Sequence, residues 1–337
     1  MTIMATIPES TSTVDVRIID TNTLLYLKTG LFWETKLKGF EGLHAPTYCF
    51  LVSHGSRHVL FDLGVRIDWE NYAPKIVQLI KATTKVATGL DVASVLDKDV
   101  SGLQIRSSDV EGIIWSHNHF DHTGDPSTFP PSTQLVVGPG VKAASWPGYP
   151  SKPDAGILDT DAAGREVREI TFASAELRVG SFNAFDYFGD GSFYLLDAPG
   201  HAIGHMCALA RTTADPPSYV FMGADACHHP GIIRPSGRLH IPRECICAGL
   251  WKNTGEPLLS VPRGLVFADH AAAVETVHKI QELDALREVF VILAHDTTLR
   301  GRIPFFPERI NDWQAKGLRE RTRWLFCQDF KAAEITQ

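Results

Sequence analysis

Three histidines and an aspartate crowd into one short stretch, at His117, His119, Asp121 and His122 in an H-x-H-x-D-H pattern. They follow residues 110–115, an apolar and β-branched run that is typical of a buried strand. Because side chains in an extended loop repeat every two residues, His117 and His119 can project to the same side. Imidazoles and a carboxylate at this density suit zinc or a similar divalent metal. The pattern predicts a site for two neighbouring metal ions, with a solvated histidine-rich loop as the alternative.

More residues of the metal-ligating types occur where other apolar runs end. His201, Asp225 and His295 each follow such a run, as His117 does. Rigid scaffolds display their chemistry on the loops at one end of a sheet. We therefore expect these side chains to meet the histidine loop at one edge of the fold.

Predicted strands and helices cover most of the chain. Strands are predicted at residues 14–19, 24–27, 48–53, 58–63, 110–115, 133–137, 169–172, 176–179, 193–196, 206–211, 219–222 and 289–293. Helices are predicted at residues 70–82, within 91–108, at 271–287 and at 311–325. Residues 228–263 contain five prolines and are too long for a plain connector, which predicts an inserted lid or wall. We expect a single domain over residues 1–337, with that insertion and a C-terminal helical extension.

Composition limits the classes of partner. Of the 337 residues, 44% are hydrophobic and 21% charged, and the net charge is −7. The sequence lacks a Lys/Arg run, so we expect neither a nucleic-acid nor a membrane partner. The first residues are polar and small, unlike a secretory signal, and no apolar run approaches the ~18 residues of a membrane span. These features predict a cytoplasmic protein.

Five motifs together resemble the metallo-β-lactamase-fold hydrolase superfamily, and they occur in the order that this family shows. They are Phe61-Asp62-Leu63-Gly64, the histidine loop at 116–122, Pro199-Gly200-His201 with Gly204-His205, Gly223-Ala224-Asp225, and Ala294-His295-Asp296. The resemblance implies an α/β fold, an αββα sandwich of two mixed β-sheets with outer helices and metals at one edge.

The resemblance also implies a role for each ligand of two zinc ions. The implied ligands are His117, His119 and His201 for one ion, Asp121, His122 and His295 for the other, and Asp225 as the bridge. Asp62 matches a residue that supports the histidine loop from behind.

The implied chemistry is hydrolysis of a carbonyl compound. Two divalent cations that share a water lower its pKa, and the bridging hydroxide would attack the carbonyl carbon. Asp121 is the expected carrier of the proton to the leaving group. The closest resemblance is to the lactonase branch that opens acyl-homoserine lactones. That branch commonly has a tyrosine three residues after the bridging aspartate, where this chain has His228. We expect His228 to donate to the substrate, with a plain loop histidine as the alternative.

Three functions are compatible with these residues. The first is opening of a lactone or lactam of a small, fairly apolar compound, for which similar fungal hydrolases suggest a role in detoxification. The second is an acyl thioesterase of the glyoxalase II or polyketide-releasing type. The third is a metal-binding scaffold without catalysis, which the full ligand set disfavours. Several aromatic residues are candidates for an apolar substrate cavity: Phe32, Trp33, Trp146, Phe185, Tyr187 and Trp251.

Overall fold

The centre of the protein consists of two six-stranded sheets. The computed structural model describes residues 6–35, 37–172, 176–243, 245, 250 and 255–335. The first sheet contains, in spatial order, β1 (Asp15–Asp20), β6 (Tyr48–His54), β7 (Arg57–Phe61), β9 (Val110–Ile114), β10 (Gln134–Val137) and β11 (Val167–Glu169). The second contains β12 (Arg178–Val179), β13 (Phe182–Asp186), β14 (Phe193–Asp197), β15 (Met206–Ala214), β16 (Pro217–Met222) and β18 (Val289–Ile292).

Each sheet mixes antiparallel and parallel neighbours. In the first sheet β1, β6 and β7 pair antiparallel, whereas β7, β9, β10 and β11 pair parallel. In the second sheet the strands from β12 to β16 pair antiparallel, and β18 lies parallel to β16.

The strands are buried on both faces, which is why their sequences are apolar almost throughout. In β6, Phe50 and Val52 pack into the core between the two sheets. Cys49 and Leu51, on the alternate positions, pack into a separate core on the outer face. Because side chains alternate across a strand, this division requires a second apolar layer outside each sheet.

Helices supply that outer layer. Helix α2 (Val92–Asp97) covers the outer face of the first sheet through Leu96. Helix α6 (His270–Asp284) covers the second sheet with Val277 and Ile280, whose spacing places them on one side of the helix. The predicted sandwich of two mixed sheets with outer helices is confirmed.

Short elements complete the described structure. A three-stranded sheet contains β5 (Gly42–Ala45), β2 (Leu24–Lys28) and β8 (Val86–Ala87), while β3 (Glu34–Thr35) pairs with β17 (Leu259–Ser260) and β4 (Leu37–Lys38) with β19 (Glu334–Ile335). The remaining α-helices are α1 (Pro74–Thr83), α3 (Phe120–Thr123), α4 (Val141–Ser145), α5 (Pro230–Ile233) and α7 (Leu318–Thr322). Among the described residues, no helix combines the length and the apolar character needed to cross a membrane.

The C-terminal helix predicted at 311–325 is wrong in its extent, because α7 is confined to Leu318–Thr322. The Asn311 side chain accepts a hydrogen bond of 3.0 Å from the backbone N–H of Val16 in β1. Trp313 is fully buried in the core between the sheets. These two contacts hold the start of the predicted helix against the edge of the sandwich.

Other boundaries also differ. The helix predicted at 70–82 is a 3₁₀ turn at Trp69–Asn71 followed by α1. Helix α1 begins at Pro74, because proline is tolerated at the first position of a helix. Strand β13 was not predicted. Part of the predicted lid, residues 244, 246–249 and 251–254, lies outside the described residues.

Candidate metal centre

Four strand ends bring the candidate ligands to one edge of the sandwich. Strands β16 and β18 are parallel neighbours in which Met222 pairs with Ile292. Asp225 lies three residues after Met222, and His295 lies three residues after Ile292, so the two side chains leave the sheet side by side. His117 follows β9, and His201 follows β14 in the second sheet. The topology therefore explains how residues distant in sequence meet.

The histidine loop is held from behind by Asp62. Its Oδ1 accepts a hydrogen bond of 2.7 Å from the backbone N–H of Ser116, and its Oδ2 lies 2.8 Å from Nδ1 of His122. Asp62 has a positive φ of 66°, which a non-glycine residue adopts at a cost in conformational energy. These contacts confirm the support of the loop that the sequence predicts.

Three imidazoles form the first half of the site. Nε2 of His201 lies 3.1 Å from Nε2 of His117 and 2.9 Å from Nδ1 of His119. Burial lowers the pKa of His117 and of His201 well below the ordinary value, so their ring nitrogens are neutral and able to bind a cation. Nδ1 of His117 lies 3.0 Å from Oγ of Ser116, whereas Nδ1 of His201 is buried without a hydrogen-bond partner.

One carboxylate and two imidazoles form the second half. Oδ2 of Asp121 lies 3.5 Å from Nε2 of His295 and 3.9 Å from Nε2 of His122. Both rings are fixed through their other nitrogen, His122 by Asp62 and His295 by a 2.7 Å hydrogen bond from its Nδ1 to the carbonyl oxygen of Pro46. Such outer contacts set which nitrogen faces a metal.

Asp225 lies between the two halves. Its Oδ1 is 3.1 Å from Nε2 of His122 and 3.0 Å from Nε2 of His295. Its Oδ2 is 3.6 Å from Nε2 of His201 and 3.9 Å from Nε2 of His117. One carboxylate oxygen therefore faces each half, as a bridging ligand requires.

The charges of the site are coupled through Asp225. Burial by itself raises the pKa of this carboxyl, but His122, His295 and His228 hold the pKa well below its ordinary value. Burial by itself lowers the pKa of His122 and His295, and the nearby Asp225 carboxylate raises both. The buried carboxylate thus needs positive charge beside it.

The donor set fits divalent metal ions. Nε2 of His122, Nε2 of His295 and Oδ1 of Asp225 are buried and have no hydrogen-bond partner. Atoms that bind one zinc ion at about 2.0–2.2 Å lie roughly 3–4 Å from one another. The separations in the two halves run from 2.9 to 3.9 Å, which matches that spacing. Unpartnered buried donors at this spacing are explained by metal ions.

His228 lies in the same site, beside both halves. Its Nε2 is 3.1 Å from Oδ2 of Asp225, and its ring stacks on His295 with 5.7 Å between centroids and 14° between planes. Phe32 and Phe267 pack edge-on against it. Neither nitrogen of this buried ring has a hydrogen-bond partner, and with His201 and Asp225 the ring forms a third group that could hold a metal ion.

A cavity of about 160 Å³ reaches this centre. At the metal end it is lined by Asn118, His119, Asp121, His201, Asp225 and His228. The remaining lining residues are Leu25, Leu27, Leu31, Phe32, Ile76, Leu79, Thr83, Thr84, Phe120, Leu265 and Val266. The arrangement places a polar centre at the end of an apolar cavity.

One of the aromatic residues suggested for the cavity, Phe32, lines it. Others pack within or against the hydrophobic cores: Trp33, Trp146, Phe185 and Tyr187. Trp251 lies outside the described residues.

Sequence reasoning assigned no role to His205, which positions Asp225. Nε2 of His205 accepts a 3.2 Å hydrogen bond from the backbone N–H of Asp225. Its Nδ1 donates to the carbonyl oxygen of Ala198 at 2.9 Å. Burial lowers the pKa of His205 to about 3, so the ring remains the neutral acceptor that this geometry requires. The Gly204-His205 pair was a visible signal in the sequence.

Comparisons with known proteins agree with this geometry. Residues 44–210 match the metallo-beta-lactamase superfamily. The metallo-hydrolase mfmC of Annulohypoxylon moriforme is 59% identical over 97% of this chain and 90% of its own length. The gamma-lactamase FDB1 of Fusarium pseudograminearum is 43% identical over 96% of this chain and 84% of its own length.

The chain is also similar to longer proteins and to solved structures. It is 54% identical to the cytochrome P450 monooxygenase mpaDE' of Penicillium brevicompactum, but spans only 38% of that protein. An N-acyl homoserine lactone hydrolase with N-hexanoyl-L-homoserine bound aligns with a TM-score of 0.59 and 16% identity, covering 89% of this chain and 100% of that one. At this identity the likeness shows the fold. The chain therefore belongs to the metallo-beta-lactamase superfamily and is a metal-dependent hydrolase.

Proposed function

We propose that the protein opens a lactone or a lactam of a small apolar compound and uses two zinc ions to do so. The observation that carries this proposal is an apolar cavity that ends on a dinuclear ligand set. The proposed ligands are His117, His119 and His201 for one ion, Asp121, His122 and His295 for the other, and Asp225 for both.

Two divalent ions held side by side lower the pKa of a water molecule and polarise a carbonyl. The protein's own residues orient the reaction. Asp225 fixes the two halves relative to each other, and Asp62 and His205 fix the loops that carry the ligands. Asp121 lines the cavity, so its carboxylate can take a proton from the attacking water and pass it to the leaving oxygen or nitrogen.

We assign His228 to the substrate. It lines the cavity, and its nitrogens have no hydrogen-bond partner in the protein. A ring N–H at this place can donate to the substrate carbonyl or to the leaving atom. The name of the relative FDB1, a gamma-lactamase, supports a lactam as one substrate class. Opening a toxic lactam or lactone would make the protein a detoxifying enzyme.

A turnover screen tests this function. Zinc-loaded protein is incubated with γ-lactones, γ-lactams and acyl thioesters, and ring opening or thiol release is measured. We expect hydrolysis of at least one cyclic ester or amide and little hydrolysis of the thioesters. The matched control is the Asp225→Asn variant, which should be inactive on the same compounds. Turnover of thioesters alone would contradict the proposal and favour the thioesterase alternative.

A further inference from the structure

The described apolar part of the cavity offers a substrate no free side-chain hydrogen-bond donor. Away from the metal end, Thr83 and Thr84 are the only polar side chains among its described lining residues. The hydroxyl of Thr83 donates to the carbonyl oxygen of Leu79 at 2.7 Å. The hydroxyl of Thr84 donates to the carbonyl oxygen of Tyr26 at 2.9 Å. Each hydroxyl has a single hydrogen, so neither retains a donor for a ligand.

Polar contacts are instead concentrated around the metals. Asn118 belongs to the histidine loop, and its Nδ2 already donates to Oγ of Ser145 at 3.1 Å. His228 is buried, and neither of its nitrogens has a hydrogen-bond partner. No Lys, Arg or Glu is among the described lining residues. Among these residues, side-chain donors for a substrate carbonyl therefore lie next to the metals.

The wall of the cavity has the size and chemistry of a hydrocarbon site. Strand β2 contributes Leu25 and Leu27, two residues apart and hence on one face, and Leu31 and Phe32 follow in the next turn. The cavity volume is about 160 Å³. An enclosed cavity of roughly 150 Å³ lined by Leu, Ile and Phe binds benzene. The cavity here has a similar volume but opens to solvent beside Leu79 and Leu265, which are 47% and 100% exposed.

Resting on the proposed function, we propose that the substrate is a lactone or lactam that carries an uncharged hydrocarbon substituent of about one ring in size. Lactones whose substituent carries an amide several bonds away from the ring are poor substrates, because the amide carbonyl would lie against leucine and phenylalanine without a donor. An unpaired carbonyl of this kind costs about tenfold or more in kcat/KM.

A pair of substrates tests the inference. The zinc-loaded protein is given a γ-lactone with an alkyl substituent and a γ-lactone with the same number of non-hydrogen atoms, in which a secondary amide interrupts the chain several bonds away from the ring. We expect kcat/KM at least about tenfold higher for the alkyl lactone. Equal or reversed preference would overturn the inference but leave the hydrolase function intact. If lactones and lactams of both kinds remain unopened, the proposed function fails and the inference fails with it.

Two variants test whether the apolar wall of the cavity sets the substrate preference. Leu31→Gln places an amide beside the hydrocarbon site and should bring the ratio of the two kcat/KM values closer to one. Val100→Gln makes a similar change at a residue that is 98% exposed and does not line the cavity, so it should leave the preference unaltered. The same shift in both variants would contradict the assignment.

A binding measurement separates the cavity from catalysis. Toluene and benzamide both contain one phenyl ring, and only benzamide needs hydrogen-bond partners. Toluene should raise the melting temperature of the protein, and benzamide should raise it less, without any turnover. Leu31→Gln should reduce the difference between the melting-temperature shifts caused by the two compounds. Stronger stabilisation by benzamide than by toluene in the parent protein would overturn the inference.

Discussion

The two halves of the metal centre differ in how firmly the protein holds them. In the first half, His119 is only partly buried, and Nδ1 of His201 has no hydrogen-bond partner. In the second half, both imidazoles are fixed from behind, His122 by Asp62 and His295 by the backbone carbonyl of Pro46. The second half also has a carboxylate of its own, Asp121.

This difference indicates which half binds its metal ion more tightly. Outer hydrogen bonds orient a ligating imidazole in advance, and a carboxylate adds negative charge beside a cation. The second half has both features. In the first half, Ser116 contacts only His117 from behind, and the carboxylate is the shared one of Asp225. We therefore expect the second half to retain its metal ion at chelator concentrations that empty the first.

Removal of the Asp225 carboxylate, which the two halves share, should have the largest effect on activity and on metal content. Asp225→Ala takes away the ligand of both ions, so activity should fall by more than the roughly 10- to 100-fold that loss of an outer partner costs. Metal content should fall below that of the parent, as measured by elemental analysis. The exposed residue Asp154 gives the matched control, Asp154→Ala, which should change neither property. Parent-like activity in Asp225→Ala would remove this residue from the site.

His228 is not among the seven proposed ligands, so its loss should lower turnover without lowering metal content. His228→Ala should keep the parent's metal content and lower kcat about 100-fold, the usual cost of one positioned donor. His228→Tyr places a phenol at the same position and should shift the preference from a lactam toward the matching lactone. The measurements are kcat and KM on both compounds together with metal content. Unchanged kinetics in both variants would assign His228 a structural role.

Asp62→Asn should weaken one half selectively. The asparagine oxygen can still accept from Ser116 N–H, but the amide nitrogen would then face Nδ1 of His122. Metal affinity of the second half should fall about 10- to 100-fold, whereas the first half should change little. Competition with a chromophoric chelator measures the two affinities separately. An equal loss of metal affinity in both halves would contradict the conclusion that Asp62 supports the second half selectively.

Much of the site could be predicted because its ligands are dense or follow strands. The histidine loop concentrates four ligands in one segment, and His201, Asp225 and His295 follow strands whose apolar sequences are clear. Buried strands of this type carry their own signal, so most strands were predictable, whereas the sandwich was implied by the resemblance to the superfamily.

The cavity wall was not predictable, since it combines segments that only tertiary packing brings together. Leu25 and Leu27, Ile76 and Leu79, and Leu265 come from three distant parts of the chain. Local pattern also failed where a distant contact decides the conformation. Asn311 binds the edge of β1, which sequence periodicity does not reveal. Strand β13 has polar residues at Asn183 and Asp186, which do not alternate with apolar ones and gave a weak strand signal.

The metal content of the purified protein tests the central claim most directly. If two halves share Asp225, elemental analysis after zinc loading and desalting should give about two equivalents per chain. Graded chelation should then remove the ions in two separate steps, the first from the half that contains His201. A content near zero, with no uptake when zinc is added, would contradict the account of a dinuclear centre.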